Sequence, residues 1–160
     1  MEIERKYLVT HCPFDLSDFP LQTIRQGYIS KNPVIRIRQS NSEYILTVKG
    51  KGLIEREEYE LHLDEEQFLS LIPKVEGNFI EKTRYKIPYG DFIIELDIFH
   101  GYLEGLCFAE VEFENHEAMI NFTPPEWFDL DVSENPSYQN SHLSKLSPEE
   151  ALLITKGNTD

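Results

Sequence analysis

Seven short segments carry charged side chains at alternate positions, and the signs of those charges are sorted by segment. Residues two apart in a β-strand point to the same face, so each segment reads as a strand with one charged and one apolar face. The opening "EIERKYLV" puts Glu2, Glu4 and Lys6 together. "VIRIRQ" sets Arg36 and Arg38 against Ile35 and Ile37, and "YILTVKG" sets Thr47 and Lys49 against Leu46 and Val48. "EREEYELHL" sets Arg56, Glu58, Glu60 and His62 against Tyr59, Leu61 and Leu63. "EKTRYKI" sets Lys82, Arg84 and Lys86 against Tyr85 and Ile87. "FIIELDIF" sets Glu95 and Asp97 against Ile94, Leu96 and Ile98, and "CFAEVEFE" sets Glu110, Glu112 and Glu114 against Val111 and Phe113.

One such strand is ordinarily solvated surface, as one side of many antiparallel sheets is. The sorting argues otherwise. Strands around residues 35, 47 and 83 carry cations, those around 95 and 110 carry anions, and those around 3 and 58 mix the two. An outer face tends to intersperse opposite charges, because like charges directly opposite destabilise a sheet. The charged faces are therefore expected to line an interior, with the apolar faces packed outward against helices. Carboxylates gathered in this way raise one another's pKa, and clustered cations repel. Such strain is better explained by a ligand than by stability.

The strands are expected at about 2–9, 21–30, 34–39, 43–49, 54–62, 80–87, 91–99 and 107–114, with turn signals "KNP", "SNS", "KGKG" and "PYGD" between them. Helices are expected over "DEEQFLSLI", with Asp64 as N-cap, over "NHEAMINF", and over "SPEEALLI", with Ser147 as cap and Pro148 at the first helical position. Eight strands with few helices favour a closed antiparallel barrel, which removes sheet edges. The expected class is α+β, mainly β: a closed eight-stranded barrel with flanking helices, residues 1–160 forming a single domain.

A formal net charge of −14 disfavours nucleic-acid and anionic-membrane partners, both of which need basic surface. Cys12 and Cys107 are widely separated, outside any metal-ligand spacing, and are expected as reduced thiols in a cytoplasmic chain. No apolar run approaches the roughly 18 residues that span a bilayer.

The acidic set offers only oxygen donors, which suit Mg²⁺ or Mn²⁺ rather than zinc. The five histidines show no zinc-ligand spacing. The basic set is Lys6, Arg36, Arg38, Lys49, Lys82 and Arg84; arginine grips phosphate oxygens in a fork and lysine acts as a point charge. A basic wall facing an acidic wall, with a divalent cation between them, is what a polyphosphate requires. No phosphate-binding loop of the G-x-x-x-x-G-K-[ST] type is present.

"EIERKYLV" resembles the E-x-E-x-K signature of the CYTH superfamily, the triphosphate tunnel metalloenzymes. "RQGYI", "RIRQ", "TVKG", "EREEYEL", "EKTRY", "IELDIF", "AEVEFE" and "PPEWF" are similar to its later blocks, in order. The likeness is nearest to the short bacterial inorganic tripolyphosphatases. It implies a triphosphate tunnel in which Lys6, Arg36, Arg38, Lys49, Lys82 and Arg84 hold the substrate. Glu2, Glu4, Glu58, Glu60, Asp97, Glu110 and Glu112 are the implied metal and water-activating set, with Glu95 on the same face. Glu2, Glu4, Lys6, Arg38 and Tyr28 are the expected catalytic residues, Tyr28 matching a tyrosine that reaches into such tunnels.

Relatives carry a lysine near a C-terminal "Y-x-N-x-x-L" stretch that forms a plugging helix. Here "YQNSHLSKL" has Gln139 and Ser141 instead, so either Lys145 substitutes or one contact is absent. The expected activity is metal-dependent hydrolysis of the terminal phosphoryl group of inorganic triphosphate, with nucleoside and thiamine triphosphates as further substrates. The alternatives are a class IV-type adenylate cyclase and a non-catalytic polyphosphate-binding module. The likeness is also compatible with a homodimer.

Overall fold

Alternation with period two carries through to the backbone almost everywhere it occurs in the sequence. In the computed structural model, which describes residues 1–157, the strands are β1 (Glu2–Leu8), β2 (Leu21–Lys31), β3 (Val34–Ser40), β4 (Glu43–Lys49), β5 (Glu55–Arg56), β6 (Glu58–Leu63), β7 (Glu76–Tyr89), β8 (Phe92–Phe99) and β9 (Cys107–Phe113). The helices are α1 (Glu65–Leu71), α2 (His116–Asn121), α3 (Asn140–Leu143) and α4 (Pro148–Gly157).

All pairings are antiparallel, and the strand order is β5-β1-β9-β8-β7-β2-β3-β4-β6. Only Glu57 separates β5 from β6, so the two ends of the sheet are one interrupted strand. The expected strand over 54–62 is thus present but broken. Its first part pairs with β1 (Glu2 opposite Arg56) and its second with β4 (Lys49 opposite Glu58). That switch of partners closes the eight-stranded barrel.

Closure at this seam is shared. β5 covers β1 only at Glu2 and Ile3, with one more bond from the Glu4 amide to the Ile54 carbonyl at 2.9 Å. Farther along, a strap of residues 129–133 lies against the same edge. The Leu8 amide donates to the Leu130 carbonyl (2.9 Å), and the Val132 amide donates to the Lys6 carbonyl (2.9 Å). Side chains pin the strap: Asp131 accepts from the Arg5 guanidinium, Asp129 from the Thr10 amide at 2.7 Å, and Ser133 Oγ from the Lys6 amide at 2.8 Å.

The outward faces of β1, β9, β8 and the end of β7 pack with α2 and the 122–128 stretch around Ile3, Tyr7, Ile94, Leu96, Val111, Phe122 and Phe128. On the opposite flank, α1 lays the fully buried Phe68 against Tyr44, ring centroids 4.9 Å apart. Asp64 starts α1 as expected, in a reciprocal pair with Gln67 (2.8 and 2.9 Å), and Ser147 and Glu150 do the same for α4. Inside the barrel, one end is filled by a second apolar cluster: Leu8, Tyr28, Ile80, Phe99 and Phe108 pack with Leu143 of α3, with Leu146 of the link that follows it, and with Ala151 of α4.

β7 begins at Glu76, four residues earlier than expected. "EGN" looks like a turn, yet the Asn78 amide donates to the Ser144 carbonyl (2.7 Å) and its side chain donates to the carbonyls of Ser144 and Leu146. Gly77 holds φ +76, and a Cβ there would lie 2.6 Å from the Ser144 oxygen. Docking of the C-terminal helices, rather than local propensity, extends this strand. Among the described residues, no helix is long and apolar enough to cross a membrane.

The strap gives a measurable pH effect. Burial works to raise the Asp131 pKa, but hydrogen bonds from Ser133 and Arg5 hold it below the ordinary aspartate value of 3.8. A depressed folded-state pKa stabilises above the unfolded value and ceases to as pH falls through the folded one. Asp131→Asn is expected to cost about 0.5–1.5 kcal/mol in urea unfolding at pH 7. The difference from wild type should shrink below pH 4; a pH-independent difference would contradict this origin.

Candidate active site

The registers put the charged faces on one inner surface. Glu4 lies opposite Glu112, Lys6 opposite Glu110, Glu95 opposite Glu110, and Arg84 opposite Asp97. Arg36 lies opposite Thr47 and Tyr28, and Lys49 opposite Glu58. Above the apolar floor they enclose a cavity lined by Glu4, Lys6, Tyr28, Arg36, Arg38, Lys49, Arg56, Lys82, Arg84 and Glu110. Val132, Ser133, Asn135, Tyr138, Gln139, Asn140 and Ser141 complete its wall from the strap and the start of α3.

The charges in this lumen are paired unevenly. Asp97 is fully buried, and both its oxygens are taken: Lys82 Nζ donates at 2.7 Å, and Arg84 donates through Nε at 2.7 Å and Nη2 at 2.9 Å. Burial would raise the Asp97 pKa, but Arg84 and Lys82 hold it well below the usual carboxylate range. Burial likewise disfavours the Arg84 charge, but Asp97, Glu95 and Glu110 hold its pKa well above the ordinary value. For Lys82 burial wins, and its pKa falls to about 7 despite Asp97. Lys6 Nζ lies 3.6 Å from Glu110 and donates to the Tyr138 carbonyl at 3.0 Å. Lys49 Nζ lies 3.0 Å from Glu2 and 3.6 Å from Glu58.

Arg36 and Arg38 have no carboxylate within 4.0 Å among the described residues. Arg36 is 8% exposed; its Nη2 donates to Thr47 Oγ1 at 3.1 Å, and its buried Nε finds no acceptor. Arg38 Nε donates to the Gln26 side-chain oxygen at 2.9 Å. Burial, with the charges of Arg36 and Arg84, lowers the Arg38 pKa to about 9.

Across the lumen Glu4 is also without an ion pair among the described residues. Burial and the charges of Glu110 and Glu2 raise its pKa to about 8. Glu2 is raised by burial and Glu58 even though Lys49 touches it, and Glu112 by burial, Glu2 and Glu95.

These carboxylates form no ready-made cage: no three His, Cys, Asp or Glu side chains converge as a metal-binding group among the described residues. Glu60 and Glu112 sit in exposed positions, while Glu110 leans toward Lys6 and Arg84. The donors are nonetheless all oxygen, and Glu4 is a partly buried acid whose pKa is raised first by burial and then by Glu110 and Glu2. That fits a cation held through one or two carboxylates, the rest of its shell coming from phosphate oxygens and water, as Mg²⁺ characteristically is.

Tyr28 belongs both to the apolar floor and to the cavity wall, its hydroxyl accepting from Gln26 Nε2 at 2.9 Å. Gln26 and Thr47, both fully buried, hold the two arginines; the face sorting places Thr47 beside Lys49 but assigns it no role, and it passes over Gln26, which carries no charge. Their place two residues from Tyr28 and from Lys49 was the available signal. Lys145 does not replace the expected C-terminal lysine. It does not line the cavity and pairs with Glu76 at 3.1 Å, so Gln139, Asn140 and Ser141 meet the cavity as neutral groups.

Residues 1–122 match the CYTH domain. The chain is 42% identical over 153 residues to an inorganic triphosphatase from Nitrosomonas europaea, spanning 92% of this chain and 99% of that protein. It is 37% identical over 149 residues to an inorganic triphosphatase from Acetivibrio thermocellus, spanning 90% and 93%. The crystal structure of the inorganic triphosphatase NE1496 superposes with a TM-score of 0.69 at 38% identity, covering 92% of this chain and 97% of that one. Sequence blocks, barrel and relatives agree, and the chain belongs to the CYTH domain family.

Proposed function

We propose that residues 1–160 act as one unit that hydrolyses inorganic triphosphate to pyrophosphate and orthophosphate with the help of a divalent cation, Mg²⁺ or Mn²⁺. The observation that carries this reading is the pair of guanidiniums, Arg36 and Arg38, buried or partly buried without a carboxylate and facing a lumen that also holds the unpaired Glu4. A cation-bearing triphosphate supplies both missing partners together. The named relatives are inorganic triphosphatases, which supports the same substrate.

In this mechanism Arg36, Arg38, Lys6, Lys49, Lys82 and Arg84 hold the phosphate oxygens and stabilise the charge that grows on them during transfer. Asp97 fixes Arg84 and Lys82 in place rather than offering its own oxygens, since both are occupied. Gln26 and Thr47 orient Arg38 and Arg36 in the same manner. Tyr28 positions the anion from the floor. Glu2, Glu4, Glu58, Glu60, Glu110 and Glu112 form the acidic side, with Glu4, Glu2 and Glu112 the main candidates for the cation. When bound, the cation supplies Lewis-acid polarisation of the phosphoryl oxygens. A carboxylate of the acidic side takes the proton of the attacking water, which displaces pyrophosphate in line.

The test is a product-resolved assay with inorganic triphosphate and with ATP, each in Mg²⁺, Mn²⁺ and EDTA. Orthophosphate release that is faster from triphosphate and abolished by EDTA is expected. Cyclic AMP and pyrophosphate from ATP would instead make the barrel a cyclase, and tight binding without product would make it a sensor.

Losing one charged hydrogen bond costs roughly 1.5–3 kcal/mol, about 10- to 150-fold in rate. Arg38→Ala and Glu4→Ala are each expected to lower turnover at least tenfold while keeping the wild-type circular dichroism spectrum. Wild-type rates in either folded variant would refute the assignment.

A further inference from the structure

The strand that closes the barrel also presents a cation to the lumen. Arg56 is the last residue of the two-residue β5, its Cα opposite Glu2, and its side chain lines the same cavity as Arg36, Arg38 and Lys49. Glu2 is its cross-strand neighbour, yet Glu2 is engaged by Lys49 at 3.0 Å. Arg56 makes no ion pair and no side-chain hydrogen bond with another described residue.

The segment that delivers Arg56 is tightly turned and weakly held. Gly52 has φ +125, and a Cβ there would lie 2.1 Å from the Glu55 carbonyl oxygen, so only glycine permits the approach. Beyond it, β5 is held to β1 by two register pairs and the Glu4-to-Ile54 bond. This is the shortest pairing in the barrel. Stability is lowest where few backbone bonds hold an element.

We propose that Arg56 is a further substrate-binding residue, and that the anion it grips fastens the barrel seam. Resting on the triphosphatase reading above, the inference places one guanidinium of the anion cradle on β5 and the others on β3 and β7. A triphosphate held between them ties the weakest strand to the far wall. Binding energy then opposes opening of the β1–β5 pairing.

Two measurements test this. In titration calorimetry with inorganic triphosphate, Arg56→Ala is expected to weaken binding about tenfold or more, with Arg56→Lys recovering part of the loss and the ligand-free Tm unchanged in both. In hydrogen exchange, triphosphate is expected to slow the Glu4 amide, which bonds to Ile54, in the wild type but not in Arg56→Ala. Wild-type affinity in Arg56→Ala would overturn this inference and leave the site reading standing. An affinity loss matched by a lowered ligand-free Tm would overturn it equally, since the role would then be structural. Absence of triphosphate binding by the wild-type protein would overturn both.

Discussion

Charges of one sign held near each other, away from bulk water, are the constraint around which this barrel is organised. The wall between β2 and β4 brings Arg36 and Arg38 together, and β1 and β9 bring Glu4 beside Glu112, and among the described residues none of Arg36, Arg38 and Glu4 has an opposite charge within 4.0 Å. Burial first, and the like charges of each set after it, disfavour ionisation, so the Arg38 pKa falls and the Glu4 pKa rises. A closed barrel can hold this arrangement because its walls are fixed by backbone hydrogen bonds and its outer faces by apolar packing. The side chains cannot relax into pairs, so the unmet charge is available to a ligand that carries both signs.

Not every lumen charge is left in that state. Asp97 with Lys82 and Arg84 is a buried, fully hydrogen-bonded group. Its own contribution to stability is modest by the usual reckoning for buried ion pairs, but it leaves the cationic edges of Lys82 and Arg84 in defined positions. Such preset donors need no reorganisation when charge develops, which is the condition for strong electrostatic stabilisation. The strap and the start of α3 complete the enclosure with neutral groups. The lumen is therefore cationic on one side, acidic on another and neutral at its C-terminal wall, an arrangement suited to an anion that carries a cation on one side.

The barrel was legible because period two needs no knowledge of partners: one glance at each strand sorts its faces, and the signs reveal that those faces meet. The same argument located Lys6, Arg36, Arg38, Lys49, Lys82, Arg84, Glu4 and Glu110 at the cavity wall. It does not say which charges find partners. Asp97 looks like Glu110 and Glu112 in sequence, and only the register with Arg84 distinguishes it. Arg56 was on the right face, but its lack of a partner depends on Glu2 turning to Lys49. Thr47 was placed on the charged face without a role, while Gln26 and the 132–135 wall were missed for a different reason. That wall comes from contacts across long sequence separations, such as Ser133 to Lys6, and a neutral residue such as Gln26 leaves no sign pattern to follow. The early start of β7 has the same cause, because Ser144 and Leu146 supply the bonds that "EGN" does not predict.

The claim that unmet charge in the lumen exists for a polyanion is tested most directly by melting the metal-free protein with and without inorganic triphosphate. Ligand that binds only the folded state stabilises it by about 2.7 kcal/mol at a hundredfold excess over Kd, and the account predicts a clear rise in Tm. Sulfate at matched ionic strength should raise it far less, since it cannot span the guanidiniums of β3 and the cations of β7. An unchanged Tm with triphosphate, or an equal rise with sulfate, would contradict the account.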